Sequence, residues 1–198
     1  MTTTERLRTG TRMSLDEFLA LGEADGKWEL DDGVLYIMAT GSPDHQFLMR
    51  WLCRPIEDYF LQFDQPPAQL IQEMTTILSP ELQRAPEPDI VIILNERRHI
   101  VSRVRVEAPP DIVVEILSTD RSRDLVRKRQ IYAEAGVLEY WLMDPRSDTI
   151  TLLELRDGAY VERAVLSAAD SLTTPLLPGL AIPLESIFQH TLRPPREE

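Results

Sequence analysis

Four ionisable residues stand where apolar packing would otherwise be expected: Glu29, Asp89, Glu115 and Lys128. Glu115 interrupts the run Ile112-Val113-Val114 and Ile116-Leu117, which has the composition of a strand buried on both faces. Asp89 directly precedes a second such run, Ile90 to Leu94. A lone buried charge is costly, so each carboxylate must be paired, metal-bound or protonated. Two such acids on neighbouring strands repel unless a cation lies between them. An oxygen-only donor set suits magnesium or manganese rather than zinc. Lys128 follows in a helical pattern after the polar stretch Ser118 to Ser122. A lysine there could orient or activate a water, or neutralise charge developing on a phosphate.

Each residue also has a plainer reading. Glu115 could pair with an arginine and be purely structural. Asp89, after Pro88, could be a turn residue at a strand edge. Lys128 lies between Arg127 and Arg129, as a solvated helix lysine would. Glu29 precedes the Asp32-Gly33 turn, a position that does not discriminate. His45 falls in the first turn of a predicted helix and could sit at the surface or reach the site. His99 and His190 have no ligand spacing around them. There is no Cys/His cluster, no phosphate-binding glycine loop and no Gly-x-Ser-x-Gly elbow. Zinc, nucleoside triphosphates and serine hydrolysis are thereby disfavoured.

The elements that would position these groups can be read in order. Ser14 and Glu17 form a capping box opening a short helix over Leu15 to Leu21. Asp32-Gly33 between apolar stretches predicts a hairpin over residues 27–38, with Glu29 on its first strand. Ser42 and Pro43 start a helix with one apolar face through Phe60, which Pro55 should kink or shorten. Ala68 to Ile71 and Met74 to Leu78 read as two weak strands or one bent one. Asn95 to Arg105 reads as a charged surface excursion. Leu138 to Met143 is a further strand, and Asp157-Gly158 joins Thr149–Leu155 and Tyr160–Val165 as a hairpin. Leu180 to Phe188 closes the chain. Residues 1–12 are expected as a flexible arm, 13–190 as one α/β domain and 191–198 as a disordered tail.

The 198 residues are 43% hydrophobic and 27% charged, as in ordinary soluble globular chains. No stretch reaches the roughly 18 apolar residues of a membrane helix, and the N-terminus lacks a signal-peptide core. The single cysteine, Cys53, excludes an internal disulfide and suits a reducing cytoplasm; its helical apolar setting reads as an inert core thiol. A net charge of -12 weighs against a generic nucleic-acid binder, although bound cations or a local basic patch would still let such a chain meet phosphates.

Glu115-Ile-Leu-Ser118, Asp124-Leu-Val-Arg-Lys128 and the run Tyr132-Ala-Glu-Ala-Gly136-Val-Leu-Glu139-Tyr140-Trp141-Leu-Met-Asp144-Pro145 resemble the Uma-two family. The similarity also takes in Trp28-Glu29-Leu-Asp-Asp-Gly33, His45, Pro88-Asp89 and Gly179-Leu180, about residues 13–188. That family, long a domain of unknown function, is grouped with restriction-endonuclease-like nucleases of the PD-(D/E)XK superfamily. The resemblance implies an α/β, restriction-endonuclease-like fold with a central mixed sheet flanked by helices. It implies a magnesium- or manganese-dependent endonuclease acting on nucleic acid, with DNA the expected form. By position, Asp89 is the motif aspartate, Glu115 the motif acid and Glu29 an additional acid at the metal. Position 117 is Leu, so Glu-x-Lys is broken, and the resemblance implies that Lys128 supplies the lysine from the next helix. The activity is expected in the cytoplasm, and a homodimer is allowed. Two rivals stand beside it: a catalytically inactive binding or regulatory protein on the same fold, and hydrolysis of a smaller phosphate compound.

Overall fold

The computed structural model describes residues 7–22, 26–39, 41–118 and 121–190. Its centre is a six-stranded mixed sheet in the order β3-β4-β5-β6-β7-β8. These strands are β3 (Ala68–Gln72), β4 (Ile90–Leu94), β5 (Ile112–Ile116), β6 (Glu139–Asp144), β7 (Thr149–Arg156) and β8 (Ala159–Ser167). Only β5 and β6 pair in parallel, because a helical crossover joins them; every other neighbour is antiparallel.

The strands alternate between two cores. Ile90, Ile92, Ile112, Val114 and Ile116 pack with Leu48, Leu52 and Ile56 of α2 (Pro43–Phe60). Val91, Ile93 and Val113 face the other way, toward Ile131 and Tyr132 of α3 (Arg129–Ala135). A sheet covered on both faces explains why β4 and β5 are apolar at nearly every position. It also means that the carboxylate of Glu115 enters a packed layer.

A separate hairpin, β1 (Lys27–Asp31) and β2 (Val34–Met38), turns at Asp32 and Gly33 with φ of 50° and 72°. Positive φ at both positions fits the tight turn that Asp-Gly favours. Leu30 and Leu35 pack beneath α1 (Leu15–Ala20), whose capping box uses Ser14 and Glu17 as expected. The back of the hairpin is therefore fixed and its other face is free to carry polar groups.

Several expectations change in detail. Residues 7–12 run along β2: Gly10 N–H donates to Leu35 O and Leu35 N–H to Thr11 O. Residues 1–6 and 191–198, the remaining parts of the expected arm and tail, lie outside the described residues. α2 is not shortened at Pro55 but runs through all 18 residues. Leu52, Ile56, Tyr59 and Phe60 are buried around the proline. Burying apolar side chains at about 1.5–3 kcal/mol each outweighs a proline penalty of about 3 kcal/mol. Met74 to Leu78 is not a strand. Glu73 has φ 46° and donates its N–H to Asp89 O, which turns the chain out of the sheet; Thr76 then makes only an isolated bridge to Val106. The expected surface excursion is a 3-10 turn, Asn95–Ile100, anchored by buried Ile100.

The chain closes on β9 (Ser171–Leu172), β10 (Ile182–Pro183) and α4 (Glu185–Phe188). Among the described residues no helix is long and apolar enough to cross a membrane.

Candidate active site

The site forms where β4 begins and β5 ends. Ile90 pairs with Val114 in the antiparallel ladder, so one step further Asp89 stands opposite Glu115 on the same face. Directly opposite residues have Cβ atoms about 4.5–5.5 Å apart, so the two carboxylates are neighbours. Ile116 N–H donates to Asp89 Oδ2 at 2.8 Å and fixes that side chain at the strand end.

Lys128 is the hub. Its Nζ lies 2.8 Å from Glu115 Oε1, 2.9 Å from Glu29 Oε1 and 3.7 Å from Asp124 Oδ1, and the residue is 2% exposed. Tyr132 Oη donates to the same Glu115 Oε1 at 2.7 Å. Lys128 ends a π-helical turn, Arg123–Lys128, that leads directly into α3. Such wide turns are uncommon and recur at functional sites, because the extra residue redirects side chains. Here Asp124 and Lys128 turn inward. Arg127 instead donates to Asp31 and Asp32 of the hairpin, and Arg129 to Tyr160 O.

The hairpin supplies the opposite wall. A strand sends alternate side chains to one face, so Lys27, Glu29 and Asp31 point together at the site while Leu30 packs into the core behind. Lys27 Nζ lies 2.6 Å from Asp89 Oδ1. Arg123 pairs with Glu29 Oε2 at 3.0 Å, and its guanidinium sits 3.9 Å from the centre of the Tyr36 ring. His45, from the first turn of α2, places Nε2 2.9 Å from Asp89 Oδ2. Of the two readings open for His45, reaching the site is the one observed.

Thus the structure brings Glu29, Asp89, Glu115 and Lys128 into one cluster. Sequence reasoning missed Lys27 and Arg123. The alternation Lys27-x-Glu29-x-Asp31 on a strand whose other face is apolar was the available signal for Lys27. Arg123 carried none, because its direction depends on the π turn.

Charge balance decides the protonation states. Burial pushes Glu29 up, but Lys128, Lys27 and Arg123 pull it down to about 2. Burial also opposes ionisation of Asp89, yet Lys27 and then His45 hold it well below the usual carboxylate range. For Glu115 burial wins: with Asp89 beside it, the carboxyl is raised despite Lys128. Burial disfavours the Lys128 ammonium, but Glu115, Glu29, Asp124 and Asp89 together keep it firmly protonated. Glu87, at the cleft wall, is raised to about 7, chiefly by burial and then by Glu29 and Glu73 against the opposing pull of Lys27. Lysines interleave the acids, and among the described residues no three His, Cys, Asp or Glu side chains converge as a ready-made metal site.

Lys27, His45, Glu87, Asp89, Glu115, Arg123 and Lys128 line a cleft of about 1360 Å³ between the hairpin, the start of α2 and the π turn, with Glu29 buried behind it. The Uma2 family model, described as "Putative restriction endonuclease", matches residues 15–185. The chain belongs to the Uma2 family. That match spans the hairpin, the strand pair carrying Asp89 and Glu115, and the turn carrying Lys128. Among solved structures, the chain is similar to one from Anabaena variabilis ATCC 29413 described as "a putative nuclease belonging to DUF820". The TM-score is 0.73 at 20% identity, over 89% of this chain and 98% of that one. At that identity the likeness shows the fold. No curated protein matches the chain.

Proposed function

We propose that the chain is a divalent-cation-dependent nuclease whose metal, magnesium or manganese, is held by Asp89 and Glu115. The observation that carries this reading is the placement of Lys128 on Glu115. Leu117 breaks Glu-x-Lys in sequence, yet an ammonium from the next helical segment stands 2.8 Å from the acid. Family membership and the fold of the neighbouring structure support the same class.

The donor set fits a hard cation. Asp89 and Glu115 are adjacent carboxylates at a cleft wall, and burial, with nearby acids adding to it, leaves Glu115 and Glu87 raised. Oxygen donors with surplus negative charge suit magnesium or manganese. When bound, such a cation lowers the pKa of a coordinated water toward neutrality.

The chain's own residues divide the remaining work. Lys128, held protonated by four acids, acts as a fixed positive charge and not as a base. It positions Glu115 and stabilises charge developing on a phosphate. Glu29 has both oxygens engaged by Lys128 and Arg123, so we assign it a positioning role in place of the metal contact that the resemblance implies. Glu87, raised by burial to about 7, is a carboxylate able to hold or release a proton near neutral pH. Buried, reduced Cys53 is in keeping with a cytoplasmic setting.

One observation favours the non-catalytic rival. Both Asp89 oxygens already have partners, Lys27 on one and His45 with the Ile116 N–H on the other. Cleavage assays on plasmid, linear duplex, single-stranded DNA and RNA, with and without manganese, separate the two. The nuclease reading expects metal-dependent cleavage that falls by about 100- to 1000-fold in Glu115→Gln, the scale seen when one charge-stabilising group is removed. No cleavage of any substrate by wild type would favour the rival.

A further inference from the structure

The cleft has an unusual balance for an enzyme that must hold nucleic acid. Four cationic side chains line it among the described residues: Lys27, Arg123, Arg127 and Lys128. All four are already spent on carboxylates: Lys27 on Asp89, Arg123 on Glu29, Arg127 on Asp31 and Asp32, and Lys128 on Glu29 and Glu115. Three further acids, Glu73, Glu87 and Asp124, line the same cleft, and the whole chain carries -12. Duplex binders grip phosphates on two strands with free Lys and Arg, and that contact supplies most of their affinity. Among the described residues this cleft offers no such grip.

It does offer flat and apolar surface. Half-buried Tyr36 lines the cleft; the Arg123 guanidinium, 3.9 Å from its centre, covers one face of the ring, and the rest of the ring is what a base would meet. Val126, on the facing π turn, is 69% exposed at the same cleft. Its side chain adds apolar surface to the cleft beside Tyr36. Aromatic and apolar platforms recognise bases whose faces are free, which requires an unpaired strand.

We propose that the cleft takes an unpaired strand of nucleic acid, held by base contacts at Tyr36 and Val126, rather than a duplex gripped by its phosphates. This deepens the nuclease reading and rests on it. The strand's backbone then passes the carboxylates with few phosphate contacts, and the metal at Asp89 and Glu115 supplies the charge the wall lacks. A DNA strand and an RNA strand share this chemistry.

The test is fluorescence anisotropy of the wild-type protein in EDTA, so that nothing is cut. The probes are a short labelled DNA strand, an RNA strand of the same sequence and the DNA duplex. At least one strand is expected to bind about tenfold or more tighter than the duplex. Its affinity should depend weakly on salt, with a slope of log K against log[salt] near -1, as for about one or two phosphate contacts. Tyr36→Ala should weaken strand binding about tenfold, the scale of one lost base stack, and Tyr36→Phe should restore it. A duplex that binds as tightly as either strand, with a steep salt slope, overturns the proposal and leaves the nuclease reading standing. No binding of any probe, with or without added manganese, overturns both. The wild-type comparison needs no variant, so it decides the matter even if Tyr36→Ala does not fold.

Discussion

Lys27 Nζ lies 2.6 Å from Asp89 Oδ1 and ties the hairpin to the residue directly before β4. The lysine gives Asp89 the positive charge that a bound cation would otherwise give. Replacing it by an uncharged side chain of similar length therefore has two opposite effects. Lys27→Met should lower stability in EDTA by less than the about 3–5 kcal/mol typical of a broken buried pair, because His45 and the Ile116 N–H still hold Asp89. It should also bind manganese about tenfold tighter in calorimetric titration, since a competing charge has gone. Unchanged or weaker manganese binding would show that Lys27 and the metal do not share Asp89.

Lys128 is expected to be the most sensitive residue of the cluster. Lys128→Met leaves Glu29 and Glu115 buried without their common cation and should cost about 3–5 kcal/mol in urea unfolding. Adding Glu115→Gln to that variant should recover part of the loss, because one of the stranded charges is removed. Losses that simply add in the double variant would mean that the 2.8 Å contact carries no coupling energy.

Glu87 sets a pH dependence of stability. Its folded-state value of about 7 lies above the ordinary 4.5. The folded protein therefore binds more protons than the unfolded chain between those values. The contribution is fully present below about 4.5 and is lost as pH rises through about 7. Melting temperatures in EDTA should accordingly fall more between pH 4.5 and 7 for wild type than for Glu87→Gln. Parallel curves for the two proteins would remove Glu87 as the source.

Cys53 is buried against the α2 core, and burial pushes its thiol up to about 12. Cys53→Ala should cost about 1 kcal/mol and leave any metal-dependent cleavage unchanged. Loss of cleavage in a folded variant would place the site elsewhere.

Much of this was legible in the residues. The run ending in Glu115, the Asp-Gly hairpin and the capped helices each carry a local signal, so their existence and order follow from propensity and pattern. Asp89 and Glu115 punctuate apolar strands, which marked them before their register was known. What could not be read was charge compensation. The acids had to be paired, metal-bound or protonated, but the residues did not say which; Lys27 and Lys128 pair with them through contacts 62 and 13 positions apart in the chain. Lys128, between two arginines, also had a plain reading as a surface residue, and its place beside the acids was expected from the resemblance; what the residues did not reveal is the π turn that points it inward. Glu73, with its positive φ, likewise ended β3 where the apolar pattern alone suggested a second strand.

The central claim is that Asp89 and Glu115 hold the cation. Thermal melts of wild type and Glu115→Gln, each in EDTA and in manganese, test it most directly. A cation binding only the folded state at a hundredfold excess over its Kd adds about 2.7 kcal/mol. For a domain of this size that raises the melting temperature by about 5–10 °C. Wild type should show that rise and Glu115→Gln little or none of it. An equal rise in both proteins would contradict the account.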